Sequence, residues 1–547
     1  MPADVNRDEI GRRRRRRVVI VGGGFGGLTA AKELRRADVE VTLLDRMHHH
    51  LFQPLLYQLA CGGLSAGECA TPIRAVLRHA PNTTVLMAEA TDLDAERRQL
   101  LLDSGERLDY DSLIVACGAQ TSYFGKDEWR EVSCGLKTLA DALDLRNRIY
   151  GAFEEAERSA GGDSHPALTA VPSAAAERSA PSAEPSAAAE RSAPSVEPSA
   201  AAERSAPSAE PSAAAERSAP SVEPSAAAER SAPTVEPAAA AAEREEWMTF
   251  VVIGGGPTGV ELAGELAIIA KHGMRRDFAR INPLDARVIL LDAGERVVSA
   301  FSEKLSGKVA QELAALGVTV REGARVTAID ARGVTVQVAG REERIASRTV
   351  IWAAGVQAAG FAATLARATG ASTDRAGRVQ IEPDLSVPGH PEISALGDAT
   401  LLAPDGGRPL PGLATVAIQQ ARHVAKAIHR GAPGATTPFR YFDKGALAVV
   451  GRGKAVCEIR GHELSGRPAF FTYLTVHMYY LSGGGPGHRL KVLIDWISSR
   501  LGDPQNQVIE GELASVERAP PRIESPAAGS RQPSSAGSVA PSAEAPQ

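Results

Sequence analysis

VVIVGGGFGG (Val18–Gly27) is a β-branched apolar run that breaks into glycine and leads to a helical stretch, Leu28–Arg36. A second apolar run, Val39–Leu44, ends at Asp45. Strand, glycine-rich turn, helix, strand and acid, in that order, make a parallel α/β unit. The same grammar returns in the second half of the chain. FVVIGGGPTG (Phe250–Gly259) opens a helix from Val260 to about His272, and a strand, Arg287–Leu291, ends at Asp292. A single GxGxxG is weak evidence, because glycine turns often join strands to helices. Two copies, each closed by an acid, point to two dinucleotide-binding domains.

The spacing assigns each residue a task. Gly22 and Gly254 permit the tight turn, Gly24 and Gly256 admit a pyrophosphate to the backbone, and Gly27 and Gly259 allow close helix–strand packing. The helix N-terminus behind each loop offers free N–H groups to phosphate. Asp45 and Asp292 are placed to accept hydrogen bonds from a ribose. An acid at Asp292 repels a 2′-phosphate, which favours NADH over NADPH, although Arg296 four residues on works against that preference. Two nucleotide sites in one chain suggest a flavoprotein, with FAD in the first unit and a nicotinamide nucleotide in the second. The final electron acceptor is left open by this argument.

Composition sharpens the boundaries. The chain has 547 residues and only 4% aromatics, and every aromatic lies outside 158–246 and 503–547. Those two stretches carry 19 of the 35 prolines and are rich in Ala, Ser and Glu. They bury too little apolar surface to offset chain entropy, so they are expected to be disordered. Residues 173–237 are five copies of a 13-residue unit beginning SAAAERSAPSAEP, each with a net charge of −1. The repeats account for the whole net charge of −5, so no globally basic surface for nucleic acid is indicated. Arg12–Arg17 are six consecutive arginines, but they abut a strand and no apolar signal-peptide region follows, so they read as a solvated basic arm.

Five cysteines (Cys61, Cys69, Cys117, Cys134, Cys457) without a CxxC suit a reducing compartment. His48–His50 lack a carboxylate or cysteine at ligand spacing, so no metal site is expected. No apolar run reaches 18 residues. FFTYLTVHMYYL (470–481) and LKVLIDWISSRL (490–501) are too short to cross a bilayer, but their aromatic and basic content suits lying in its interface.

The chain resembles the type II NADH dehydrogenases, single-subunit NADH:quinone oxidoreductases of the two-dinucleotide-binding flavoprotein superfamily. The resemblance rests on HHHLFQPLLYQLA (His48–Ala60), SLIVACGAQTSYFG (Ser112–Gly125), GGGPTGVELAGELA (Gly254–Ala267), VIWAAGV (Val350–Val356), LGDAT (Leu396–Thr400), LATVAIQQARHVA (Leu413–Ala425) and FRYFDKGALAVVGRGKAV (Phe439–Val456). It implies that Gly22, Gly24, Gly27 and Asp45 bind FAD, with Gln53 and Pro54 beside the flavin and Asp398 on the ribityl chain. It implies NADH at Gly254, Gly256, Gly259 and Asp292, with Glu261 near the meeting point of nicotinamide and flavin. Gln419 is implied beside the flavin and a membrane quinone. Thr415 stands where the family's quinone motif has Gln, and Cys117 replaces a common Thr.

The fold class expected is therefore α/β. It has an FAD-binding domain (17–121 and 356–431), an NADH-binding domain (122–157 and 247–355) interrupted by the insertion 158–246, a C-terminal membrane-associating region (432–501) and a tail (502–547). The activity expected is NADH:quinone oxidoreduction without proton pumping, on the cytoplasmic face of the cell membrane, with Glu261 and Gln419 as the catalytic candidates. A homodimer is left open. The alternatives are a soluble-acceptor reductase, a sulfide:quinone oxidoreductase, which needs a redox cysteine pair, and a non-catalytic nucleotide sensor or scaffold.

Overall fold

Val18, Val19, Ile20 and Val21 are at most 7% exposed. They sit in the middle of a six-stranded sheet, in the order Ser386–Val387, His390–Ala395, Ser112–Val115, Arg16–Val21, Val39–Asp45, Thr83–Met87. The computed structural model describes residues 14–160, 238–274, 277–404, 407–481 and 487–494. The five repeats, the tail, Arg12, Arg13 and Trp496 lie outside the described residues. Strand Arg16–Val21 pairs in parallel with both neighbours, Val39–Asp45 and Ser112–Val115. A strand flanked on both sides and covered on both faces has to be a continuous apolar run, which is the pattern of this sequence.

The second fingerprint builds a four-stranded parallel sheet, in the order Val318–Arg321, Arg287–Leu291, Thr249–Ile253, Thr349–Trp352. All five residues of Thr249–Ile253 are buried. Both fingerprint helices start earlier than the apolar pattern suggests. Helix α1 spans Phe25–Leu34, because Gly24 adopts an extended N-cap (φ −70°, ψ −163°) inside the glycine run. The second fingerprint helix spans Pro257–Ile268 and begins on a proline, whose preset φ suits the first helical position. Beyond Ile268 the chain widens into a π turn, Ile269–Gly273.

A feature of the sequence that pattern reading passed over joins the two units. ACGAQ (116–120) and AAGVQ (353–357) are echoes, each directly after a sheet strand. Each contains a glycine at positive φ, Gly118 at 72° and Gly355 at 92°. Each then continues into a short strand, and the two short strands pair antiparallel with Gln120 opposite Gln357. The two sheets are thus bridged by a two-stranded crossover.

The edges of the insertion are ordered further than composition indicates. Helix α2, Leu139–Ser159, and helix α3, Ala238–Trp247, run into it from either side, and they pack on each other. Five alanines give α3 high helix propensity, and its end is pinned by Glu246 to Arg332 and Arg348 and by Arg348 over the Trp247 ring at 5.1 Å.

Part of the arginine run is structural. Arg16 donates to the carbonyls of Ile428 (2.7 Å), Gly431 (2.9 Å) and Ala432 (2.8 Å), closing the C-terminus of helix α4, Ala414–His429. Arg17 pairs with Asp109 and Asp111, and Arg15 with Asp38. A cation bonded to carbonyls at a helix C-terminus complements the negative end of the helix dipole. Arg16→Ala is expected to lower unfolding stability by about 2 kcal/mol in a urea titration, with flavin still bound before the transition.

Candidate cofactor and active site

Each glycine loop is held in the same way. Gly22 (φ 102°) lies against the Ala116 backbone and Gly254 (φ 112°) against Ala353, at the two echoed segments. A Cβ on Gly27 would fall on the Gly22 carbonyl oxygen, and one on Gly259 on that of Gly254. The Asp45 carboxylate accepts from Gly23 N–H (2.5 Å) and Met47 N–H (2.7 Å). Asp292 accepts likewise from Gly255 N–H and from Gly294 N–H (2.6 Å). A Cβ on Gly24 or Gly256 would meet nothing within 4 Å. The two positions expected to face a pyrophosphate are therefore the ones the fold leaves open, at the N-termini of two helices, and the residues fit FAD and NADH.

Arg296 does not counter Asp292. Its guanidinium donates to Phe301 O (2.7 Å) and Ser299 O (3.0 Å), and so is committed to the backbone.

The first loop is joined by elements more than 350 residues away in the chain. Helix α1 packs along α4, and Ala417 is the contact point: it lies beside Gly26, and a Cβ on Gly397 would come within 3.1 Å of its methyl. Gly397 and Asp398 form a short turn after strand His390–Ala395. They open on a cavity of about 250 Å³ lined also by Thr400, Gly412, Val416 and Gln420. Lys137 Nζ approaches Asp398 to 3.8 Å. Gln420, only 1% exposed, accepts from Gly397 N–H at 2.7 Å.

Gln419 has a different surrounding. Its Nε2 donates to Phe442 O and its Oε1 accepts from Phe442 N–H, both at 3.0 Å. Both ends of the amide are bonded to the backbone N–H and C=O of one residue, so in this structure Gln419 holds the 439–444 segment against α4. Thr415 bonds Tyr441 across 3.2 Å. Gln53 and Pro54 lie on the one-turn helix Gln53–Leu55, Gln53 exposed and Pro54 half-buried. Next to them the Phe52 ring meets Phe25 of the first loop at 5.7 Å.

Glu261 is 9% exposed and accepts one hydrogen bond, from Val449 N–H at 3.2 Å. Burial raises its pKa to about 8, partly opposed by that hydrogen bond. The carboxyl is therefore largely protonated at neutral pH. Tyr57 and Tyr473 are buried in the same cluster, their hydroxyls 3.4 Å apart, and Gln58 Nε2 donates to Tyr57 Oη at 2.8 Å. Burial, reinforced by Glu261 and Glu265, holds both phenols well above the usual range.

Cys61, Cys69, Cys134 and Cys457 are buried, and all five cysteines are free thiols. Burial pushes Cys117 up to about 12, far from the thiolate that redox or nucleophilic chemistry requires.

These features have known counterparts. Residues 16–152 and 218–421 match the family of pyridine nucleotide-disulphide oxidoreductases. The type II NADH:quinone oxidoreductase Ndh of Mycobacterium tuberculosis is 37% identical over 492 residues, 88% of this chain and 88% of that protein. The chain belongs to the type II NADH:quinone oxidoreductase family. A second member from the same organism, NdhA, is 37% identical over 88% of this chain and 87% of its own. Among solved structures, NDH2 of Plasmodium falciparum in complex with NADH aligns with a TM-score of 0.67 at 17% identity, covering 89% of this chain and 98% of that one. The sulfide:quinone oxidoreductase of Aquifex aeolicus aligns with a TM-score of 0.58 at 16% identity, covering 87% and 94%. At such identities the structural matches show the fold alone.

Of the residues expected from sequence, the structure brings Gly22–Gly27, Asp45 and Asp398 around the first loop, and Gly254–Gly259 with Asp292 around the second. Three participants were not foreseen. Gln420 had a readable signal, since it falls one helical turn after Ala417. Lys137 and Val449 had none, because their roles arise from contacts between segments far apart in sequence.

Proposed function

We propose that the chain carries out NADH:quinone oxidoreduction, without proton translocation, at the cytoplasmic face of a membrane. The chemistry supplied by bound FAD is acceptance of a hydride from NADH and delivery of two electrons to a quinone. The chain's own residues provide the rest. The first loop with Asp45 and Asp398 holds FAD, and the second loop with Asp292 holds NADH. Asp292 discriminates against a 2′-phosphate, since Arg296 is turned away from that task. Reduction of a quinone to a quinol takes two electrons and two protons, while NADH brings only a hydride. Glu261, a buried carboxyl that is protonated at neutral pH, is suited to hold the additional proton. The observation that carries this reading is the pair of equivalent loops, each open only at its phosphate position. In the test, anaerobic NADH is expected to bleach the visible flavin bands and a short-chain quinone to restore them. A flavin that NADH leaves oxidised would sink the reading.

The surface that would meet a membrane is on helix α5, Arg467–Tyr480, and the helical residues 487–494. No helix among the described residues is long and apolar enough to cross a membrane. Phe471, Tyr479, Leu490 and Ile494 are 63%, 60%, 58% and 54% exposed, while Tyr473 and Val492 face inward at 1% and 0%. Aromatic and aliphatic side chains left bare on this scale suit the interfacial zone of a bilayer. The triple change Phe471→Glu, Tyr479→Glu, Leu490→Glu is expected to reduce liposome binding at least tenfold in a flotation assay, from about 1.4 kcal/mol or more of lost affinity. NADH oxidation with a water-soluble electron acceptor should survive it.

A sulfide:quinone reading is not favoured, because the one partly exposed cysteine, Cys117, is held as a neutral thiol.

A further inference from the structure

Gly23 and Gly255 occupy the same place in the two loops, and both have their N–H bonded to the loop's acid. Their carbonyls are held differently. Gly255 O accepts from Val298 N–H at 2.7 Å. Val298 sits at φ 43°, a region that β-branched residues rarely occupy. The second loop thus accepts backbone strain to place that donor. Gly23 O accepts from a side chain instead: His50 Nδ1, 3.0 Å away.

A carbonyl oxygen can only accept, so His50 Nδ1 must carry the hydrogen. The ring is 5% exposed, and burial lowers its pKa to about 4, which leaves it neutral with Nδ1 as its single donor. It is set edge-on to Phe25 at 5.1 Å, on a strand, His49–Leu51, paired with Ala70–Pro72. The peptide linking Gly23 to Gly24 is planar and trans, so its carbonyl and its N–H point in opposite directions. Turning Gly23 O toward His50 turns Gly24 N–H away from it, at the residue whose Cβ direction is open.

We propose that His50 is a positioning residue of the FAD site, whose Nδ1–H fixes the Gly23–Gly24 peptide so that the Gly24 N–H is presented to the pyrophosphate. This rests on FAD occupying the first loop. It gives a single histidine of the His48–His50 run the part that a strained backbone plays in the NADH loop.

The test separates the donor from the ring. His50→Asn keeps an amide N–H near the Nδ1 position but loses the ring; His50→Phe keeps a ring against Phe25 but has no donor. FAD dissociation constants of the folded holoproteins are read from flavin fluorescence released on serial dilution. His50→Asn is expected within about threefold of the parent, and His50→Phe about tenfold weaker, the effect of one lost hydrogen bond. Loss confined to His50→Asn, or equal loss in both, would overturn the proposal. Nitrogen-15 spectra of histidine-labelled parent and variant proteins add a second reading that does not depend on FAD affinity. The resonance absent from either variant should be the Nδ1–H tautomer, and an Nε2–H tautomer would also overturn it. Gly24→Val serves as the reference. If it too retains FAD, the placement of FAD at this loop fails; if it loses FAD while His50→Phe does not, the role of His50 alone fails.

Discussion

Gly24→Val is expected to yield folded, colourless protein, and Gly256→Val a yellow protein that NADH no longer reduces. The two positions are equivalent, and in both an added Cβ meets no surrounding protein atom within 4 Å. Folding should therefore be little disturbed, and melting curves of the flavin-free forms should nearly coincide. What the valine fills is the space where a dinucleotide phosphate must come within hydrogen-bonding distance of helix N-terminal amides. Displacing it by the width of an isopropyl group removes several charge-assisted hydrogen bonds together, each worth roughly 1.5–3 kcal/mol. FAD content per chain should fall below about a hundredth of the parent's in Gly24→Val. In Gly256→Val the flavin should remain and kcat/KM for NADH should fall more than about 100-fold. The contrast with Gly27 and Gly259 is part of the expectation. A Cβ there falls on a backbone carbonyl of the same loop, so Gly27→Ala should damage folding as well as binding. If Gly24→Val copurified with a full complement of FAD, the assignment of the first loop would be wrong.

Glu261→Gln should reduce quinone turnover by about 100-fold, the lower range for loss of a positioned proton donor, with FAD content unchanged. The amide keeps an oxygen for Val449 N–H but replaces the acidic O–H with an NH2 that cannot give up a proton near neutral pH. The pH dependence carries the sign. Burial raises the folded-state pKa from 4.5 to about 8. A group acting as a donor is competent while protonated, so turnover of the parent should decline as pH rises through about 8. That limb should be missing from Glu261→Gln. Stability follows the same titration. A folded pKa above the unfolded one means the folded state binds the extra proton, so its contribution is complete below about pH 4.5 and is lost as pH climbs toward 8. The melting temperature of Glu261→Gln should therefore gain on the parent's between pH 5 and pH 8. An unchanged alkaline limb in the variant would assign that titration to another group.

The expected fold was legible where the information is local. Strand Arg287–Leu291 falls where the pattern puts it, and Val39–Asp45 differs by the one residue that carries the acid. Helix starts were less legible, because Gly24 and Pro257 set them through backbone conformation and not through apolar period. The arginine run shows the limit of charge counting. It reads as a solvated arm, yet Arg15, Arg16 and Arg17 are each engaged with a specific partner. Gln419 shows the limit of family position. The residue lies on the expected helix, but its amide is taken up by Phe442, while its neighbour Gln420 reaches the Asp398 turn.

By itself, the sequence determined that this chain has two dinucleotide units, because the tight turn, the close helix approach and the acid lie close along each segment, Gly22 to Asp45 and Gly254 to Asp292, where local spacing dictates geometry. Only the tertiary structure decided which groups complete the site and how they behave. Glu261 meets Val449 across 188 positions, Arg16 caps a helix more than 400 residues on, and Asp398 gains Lys137 from another part of the chain. Those pairings, and the burial that raises the pKa of the Glu261 carboxyl to about 8, are properties of packing. No stretch of sequence contains them, since desolvation and hydrogen bonding depend on what the rest of the fold brings alongside.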